Sequence, residues 1–177
     1  MKALTNKDIL QKVMEELGIK NPMSAPKLKK IVVSAGIGKL CQTDKKFVND
    51  VVSNITLIAG QKPIVKKARI SVSNFKLREG QPVGVTVTLR GESMFNFLHT
   101  LANIVLPRIR DLKPLSKRSF DGNGNFSIGI KDHLIFPEIN PDDVVKSHGL
   151  QINFQTSATN DEEGYALLSK FNLPFKK

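Results

Sequence analysis

Apolar and polar residues alternate strictly in Pro82-Val83-Gly84-Val85-Thr86-Val87-Thr88-Leu89-Arg90, with Val83, Val85, Val87 and Leu89 at one parity and Gly84, Thr86, Thr88 and Arg90 at the other. A period of two buries one side of a strand and presents the other. The presented side here carries hydroxyls and a guanidinium and no bulky apolar group, which suits a surface laid against a sugar-phosphate backbone and also an ordinary solvated sheet face. Lys30 to Ala35 reads as another strand, closed by a turn at Gly36-Ile37-Gly38. Shorter strands are expected at Ile64 to Lys67, Phe126 to Ile130 and Leu150 to Thr156.

Helical spacing recurs between them. Ile9, Leu10, Val13, Met14 and Leu17 follow a start signal at Thr5 and Asp8 and stop at Gly18. Phe47, Val48, Val51, Val52, Ile55 and Ile58 predict a helix from about Asp44 to Ala59. A third runs from Ser93 through Met94, Phe97, Leu98, Leu101 and Val105 and ends near Pro107, and a last one, capped by Asn160 or Asp161, carries Tyr165, Leu167, Leu168 and Phe171. The tight spacing after residue 60 predicts an α+β fold: a mixed, mainly antiparallel sheet with helices packed on one face and the other face left to bind. A chain of 177 residues is expected to form a single domain over 1–177.

Charge changes this picture. Twenty-seven Lys and Arg against sixteen Asp and Glu give a net charge of +11, which favours a polyanionic partner, nucleic acid before an anionic membrane. Residues 1–120 hold 22 basic and 8 acidic side chains, whereas 121–177 hold 5 basic and 8 acidic. A polyanion is therefore expected on one side and a different, even basic, partner on another. The stretch Gly60 to Pro82 concentrates Lys62, Lys66, Lys67, Arg69, Lys76 and Arg78 against the single acid Glu79. Arg108, Arg110, Lys113, Lys117 and Arg118 form a second basic cluster.

Candidate chemistry narrows the function by failing. Gly36-Ile37-Gly38-Lys39-Leu40 imitates part of a phosphate-binding loop, but Val33 stands at the first glycine position and Leu40 where a hydroxyl must hold magnesium. Gly122 and Gly124 are followed by Ser127 and a strand, not by the third glycine and helix of a dinucleotide site. His99, His133 and His148 have no metal-ligand spacing, and Asp142-Asp143 reads as a turn or helix start. No nucleophile is paired with a base, so no catalytic residue, metal or cofactor is expected. The lone Cys41 reads as a buried thiol in a reducing compartment, and no stretch has the start of a secretory signal or the ~18 apolar residues of a membrane span, which places the protein in the cytoplasm with no membrane partner.

Several blocks, taken in order, resemble the bacterial large-subunit ribosomal protein five family: Leu57 to Pro63, Lys67-Ala68-Arg69, Phe75 to Gly80, Val87 to Glu92, Pro107 to Asp111, Ser119 to Gly122, Ile135 to Ile139, Asp161 to Gly164 and Leu173-Pro174-Phe175. The resemblance spans nearly the whole chain. It implies a structural, non-enzymatic constituent of the large ribosomal subunit that binds 5S rRNA in the central protuberance, alongside 23S rRNA and other 5S rRNA-binding ribosomal proteins. The rRNA contacts it implies are Lys27, Lys29, Lys30, Ser34, Gln61, Lys62, Lys66, Lys67, Arg69, Thr86, Thr88 and Arg90. A loop bearing Ser73, Asn74, Phe75, Lys76, Arg78 and Gln81 is implied to contact P-site tRNA. Phe136 to Gly149, with Glu138, Asp142, Asp143 and Lys146, is implied to reach the small-subunit ribosomal protein thirteen in an intersubunit bridge. Ser34 and Lys66 depart from the family's usual amide and hydroxyl residues. The alternative is a generic basic module for RNA or an anionic surface, without a tRNA contact.

Overall fold

The computed structural model describes residues 6–43, 47–109, 114–144 and 146–176. Its elements, in chain order, are α1 (Asn6–Leu17), β1 (Leu28–Gly36), α2 (Gly38–Thr43), α3 (Phe47–Ala59), β2 (Ile64–Lys67), β3 (Pro82–Leu89), α4 (Gly91–Thr100), α5 (Leu106–Arg108), β4 (Phe126–Ile130), β5 (Leu150–Thr156) and α6 (Asp161–Ser169). The strands form one five-stranded sheet in the order β2-β3-β1-β5-β4. The fold is α+β, as the alternation of periods predicts. Chain contacts group into two compact units: residues 32–89 with 129–152, and residues 1–31, 90–128 and 153–177.

In the first of these units, β2 and β3 pair antiparallel, with Ile64 opposite Thr86, Val65 opposite Val85 and Lys66 opposite Gly84. The alternation in β3 acts as expected: Val85, Val87 and Leu89 are buried and the residues between them are half-exposed. Helices α2 and α3 pack on β3, α3 through Phe47, Val51, Ile55 and Ile58. Helix α2 is absent from the sequence reading, which places a turn at Gly36-Ile37-Gly38. Ile37 is completely buried and its N–H donates to the Val83 carbonyl at 3.0 Å, which fixes the chain for the six-residue helix that follows. Six residues are too few to show a helical period. Cys41 on α2 is a buried free thiol, and burial raises its pKa. The predicted helix start at Asp44, like the cap at Thr5, lies outside the described residues.

In the other unit, Ile9 and Val13 of α1 pack on Leu167 of α6, and Lys170 pairs with Glu16 at 2.5 Å. Helix α4 begins at Gly91, two residues before the expected Ser93, and leads through a π turn at Leu101–Val105 into α5. Pro107 cannot donate to the carbonyl four residues back, and the wider π register directly before it lets the helical path run on to Arg108. Phe120 and Phe126 pack at 4.7 Å between ring centroids, and Phe175 meets both.

The sequence Asp121-Gly122-Asn123-Gly124-Asn125 is a structural turn in the same unit. Asp121 accepts from the backbone N–H groups of Asn123 and Asn125 and from the Asn125 amide, bonds that favour its charged form and lower its pKa, the side-chain bond most. Asn125 Oδ1 accepts from Thr156 N–H, and Thr156 Oγ1 donates to the Gly124 carbonyl. Asp161 Oδ1 takes the Gly124 N–H at 3.0 Å. Asn160 stands at the helix N-cap without a side-chain capping bond, and Glu163 reaches back to accept from Thr159 N–H instead.

This turn and α6 approach so closely that a Cβ on Gly164 would lie 2.5 Å from the Gly124 carbonyl oxygen. Gly164→Ala is therefore expected to destabilise the fold by about 1–3 kcal/mol, because backbone must move to admit the methyl. Gly129→Ala, whose Cβ meets nothing within 4 Å, is expected to be near neutral. Urea unfolding of both variants checks this, and equal midpoints would refute the close contact.

Candidate nucleic-acid interface

The outward side of the β2–β3 pair is set by register. Residues opposite each other in an antiparallel ladder share a face. Lys66 and Gly84 therefore lie on the same side as Ile64 and Thr86, while Val65 and Val85 point to the core. Thr88, two residues beyond Thr86 on β3, continues that side. Thr86 Oγ1 donates to the Val33 carbonyl at 3.4 Å, and Ser34 Oγ to the Gln151 carbonyl at 3.5 Å. Bonds of that length hold the hydroxyls weakly and leave their oxygens able to accept. Gln61 and Lys62, exposed, precede β2 after Gly60, whose φ of 64° turns the chain out of α3. Lys66, Lys67 and Arg69 are also exposed.

The rest of the basic stretch is a hairpin tied from within. Ala68 N–H donates to the Gln81 carbonyl and Gly80 N–H to the Ala68 carbonyl, while Val72 and Leu77 exchange both backbone bonds. Ser71 Oγ accepts from Glu79 N–H, and Gln81 Oε1 from Arg78 N–H. The tip is a 3-10 turn over Ser73–Phe75, followed by Lys76 in the left-handed region at φ 51°. Ser73, Asn74, Phe75, Lys76 and Arg78 are exposed along it, and Phe75 is 73% exposed. Gln81 differs from them: half-buried, with its side-chain oxygen committed to the hairpin, it shapes the loop.

The remaining sequence candidates fall elsewhere. Lys27, Lys29, Lys30 and Arg90 belong to the other unit, Lys30 half-buried and the other three exposed. Lys27 uses its backbone N–H on Ser157 Oγ. In the segment Phe136 to Gly149, Glu138, Asp142 and Lys146 are exposed, and Asp143 closes a 3-10 turn over Pro141–Asp143. Arg110 and Lys113 of the second basic cluster lie outside the described residues.

The sequence gives no sign that His133 and His148 meet. Their rings stack at 3.9 Å between centroids and 7° between planes, both buried. His133 N–H donates to the His148 carbonyl and His148 N–H to His133 Nδ1, each at 3.2 Å, so the pair closes the segment that carries Glu138, Asp142 and Lys146. Asn54 of α3 meets His133 Nε2 at 3.3 Å, and Phe47 packs edge-on against His148. Burial lowers the pKa of both rings, that of His148 to about 4, with the neighbouring His133 as the second cause; Asp132 and the His148 carbonyl partly oppose the shift at His133. His148 Nε2 is buried without a partner. Neither ring has the spacing or period that flags a pair in sequence.

No helix among the described residues is long and apolar enough to cross a membrane, and no group of three or more His, Cys, Asp or Glu among them could hold a metal ion. The class is given by two family models that together cover most of the chain: residues 21–78 match "Ribosomal protein L5", and residues 82–175 match the model of the same ribosomal family's C-terminus. The protein is a ribosomal protein, structural and not an enzyme. Proteins named "Large ribosomal subunit protein uL5" are similar along nearly their full length: that of Halothermothrix orenii is 48% identical over 96% of this chain and 94% of its own, and that of Fusobacterium nucleatum is 50% identical over 96% and 92%. The Wolinella succinogenes protein is 47% identical over 100% of this chain and 96% of its own. The chain belongs to the ribosomal protein L5 family.

The histidine pair gives a pH dependence whose sign is fixed. The unfolded rings take up protons below about 6.5, whereas folded His148 stays neutral down to about 4. The unfolded state binds more protons in that window, so stability falls as pH drops through it. Wild type is expected to lose about 2 kcal/mol more than His148→Phe between pH 7 and 4.5 in urea unfolding. Equal losses would show that the pair does not titrate as its burial requires.

Proposed function

We propose that this ribosomal protein, acting as one domain over residues 1–177, works in the large subunit of cytoplasmic ribosomes, where it binds 5S rRNA and helps dock it in the central protuberance beside 23S rRNA and the other 5S rRNA-binding proteins. The observation that carries the proposal is the outward side of the β2–β3 pair, where Lys66, Thr86 and Thr88 stand at register positions opposite the buried valines. Lysine ammonium groups neutralise phosphate, and hydroxyls accept or donate to ribose and phosphate oxygens, so the face recognises RNA mainly by shape and charge. Gln61, Lys62, Lys67 and Arg69 add donors at the start and end of β2. Ser34 extends the hydroxyl set, and Lys27, Lys29, Lys30 and Arg90 supply further phosphate contacts.

The internally bonded hairpin supports a contact with P-site tRNA. Its ladder and its Ser71 and Gln81 bonds hold Asn74, Phe75 and Lys76 at an ordered tip, so little ordering entropy is lost on contact. The exposed acids Glu138 and Asp142 support a basic protein partner for the segment closed by the histidine pair. The small-subunit protein thirteen is that partner in this proposal, with Asp143 and Lys146 in the same contact.

If six to ten phosphates are neutralised, affinity for 5S rRNA is expected to fall by roughly 10³ to 10⁵ between 50 and 200 mM salt. Filter binding against 5S rRNA and a scrambled RNA of equal length measures it; a flat salt dependence, or no preference for 5S rRNA, refutes the interface. Photocrosslinkers at positions 76 and 78 in assembled ribosomes are expected to label P-site tRNA. Labelling of rRNA alone would leave the 5S interface standing and remove the tRNA contact.

A further inference from the structure

Ile64 is 64% exposed, although it lies within a strand and next to the half-buried Val65. Register explains where it points: it stands opposite Thr86, two positions along the ladder from the Lys66–Gly84 pair, on the outward side of the sheet. Gly84 adds no side chain to this four-residue patch. A Cβ there would lie 3.1 Å from the Ala35 carbonyl oxygen, so the neighbouring backbone leaves little room for a side chain and this position presents bare backbone. An aliphatic side chain, an ammonium, a hydroxyl and bare glycine backbone thus share one patch of two same-side pairs.

Those three chemistries match three parts of one nucleotide: the base plane is apolar, the phosphate anionic and the ribose hydroxylic. A base paired in a duplex hides its plane in the stack, so only an unpaired nucleotide can offer it. We propose that Ile64 is a specificity-determining contact that packs against the plane of an unpaired RNA base seated over Gly84, with Lys66 on its phosphate and Thr86 on its sugar. The proposal rests on the reading of this face as the rRNA surface, and it adds to that reading a preference for a looped strand over continuous helix.

The contact is apolar, so it differs from the lysines in how salt affects it. Lys66→Ala is expected to weaken binding and to lower the salt slope by about one phosphate's share. Ile64→Ala is expected to weaken binding to 5S rRNA about three- to tenfold with the salt slope unchanged, and Ile64→Leu is expected to restore it. On a fully paired RNA duplex of equal length the Ile64→Ala deficit should vanish while that of Lys66→Ala persists. Circular dichroism and the melting temperature check that each variant is folded, which the exposure of both side chains favours.

An Ile64→Ala protein that binds 5S rRNA like wild type overturns the proposal, and so does a deficit of equal size on the duplex. In either case, normal salt-dependent 5S binding with a Lys66→Ala deficit keeps the wider interface intact. If wild type itself shows no preference for 5S rRNA, the interface reading fails and this contact fails with it.

Discussion

The burial of Val85, Val87 and Leu89 beneath α2 and α3 is the constraint from which the outward face follows. A strand cannot bury every second residue without turning the others the opposite way. Once β3 is anchored, antiparallel pairing fixes which residues of β2 face outward, and a slip of one residue would exchange Lys66 for Val65. The polar side is thus held in place by the apolar packing of the opposite side. Ile37 reinforces the anchor, since its buried side chain and its bond to Val83 tie the end of β1 to β3.

The basic stretch from Gly60 to Pro82 gains its form from the same anchor. Its first part is a strand in the sheet. Its second part is a hairpin whose ends are joined by Ala68, Gly80 and Gln81 and whose middle is closed by Val72 and Leu77. Six cations on a slack loop would attract any polyanion. On a strand and a tied hairpin they are offered in two separate arrangements, consistent with two distinct RNA contacts in the proposed function.

Glycine and asparagine do comparable work in the other unit. Gly124 and Gly164 let the turn and α6 come closer than any side chain permits, and Asn125 and Thr156 then satisfy the backbone groups brought together there. The acids at the start of α6 are engaged in the same way: Asp161 holds Gly124 N–H and Glu163 holds Thr159 N–H. Part of the negative charge after residue 120 thus belongs to local architecture, whereas Glu138 and Asp142 remain exposed on the surface.

Period and charge were legible from the sequence because they are local or additive. The strand at Pro82–Leu89, the helix faces of α1, α3 and α4, the glycine turn and the concentration of cations all follow from residues near one another in the chain. The ordered family blocks were legible for the same reason. Tertiary structure alone decided what depends on distant partners. Helix α2 is too short to signal itself and is set by the pairing of Ile37 with Val83. Ile64 and Lys66 share a side with Thr86 and Gly84 only because of cross-strand register. His133 opens a 3-10 turn and His148 lies just before β5, and folding alone stacks them and shifts their protonation. Spacing along the chain encodes the elements, but proximity, burial and pKa are properties of the packed molecule.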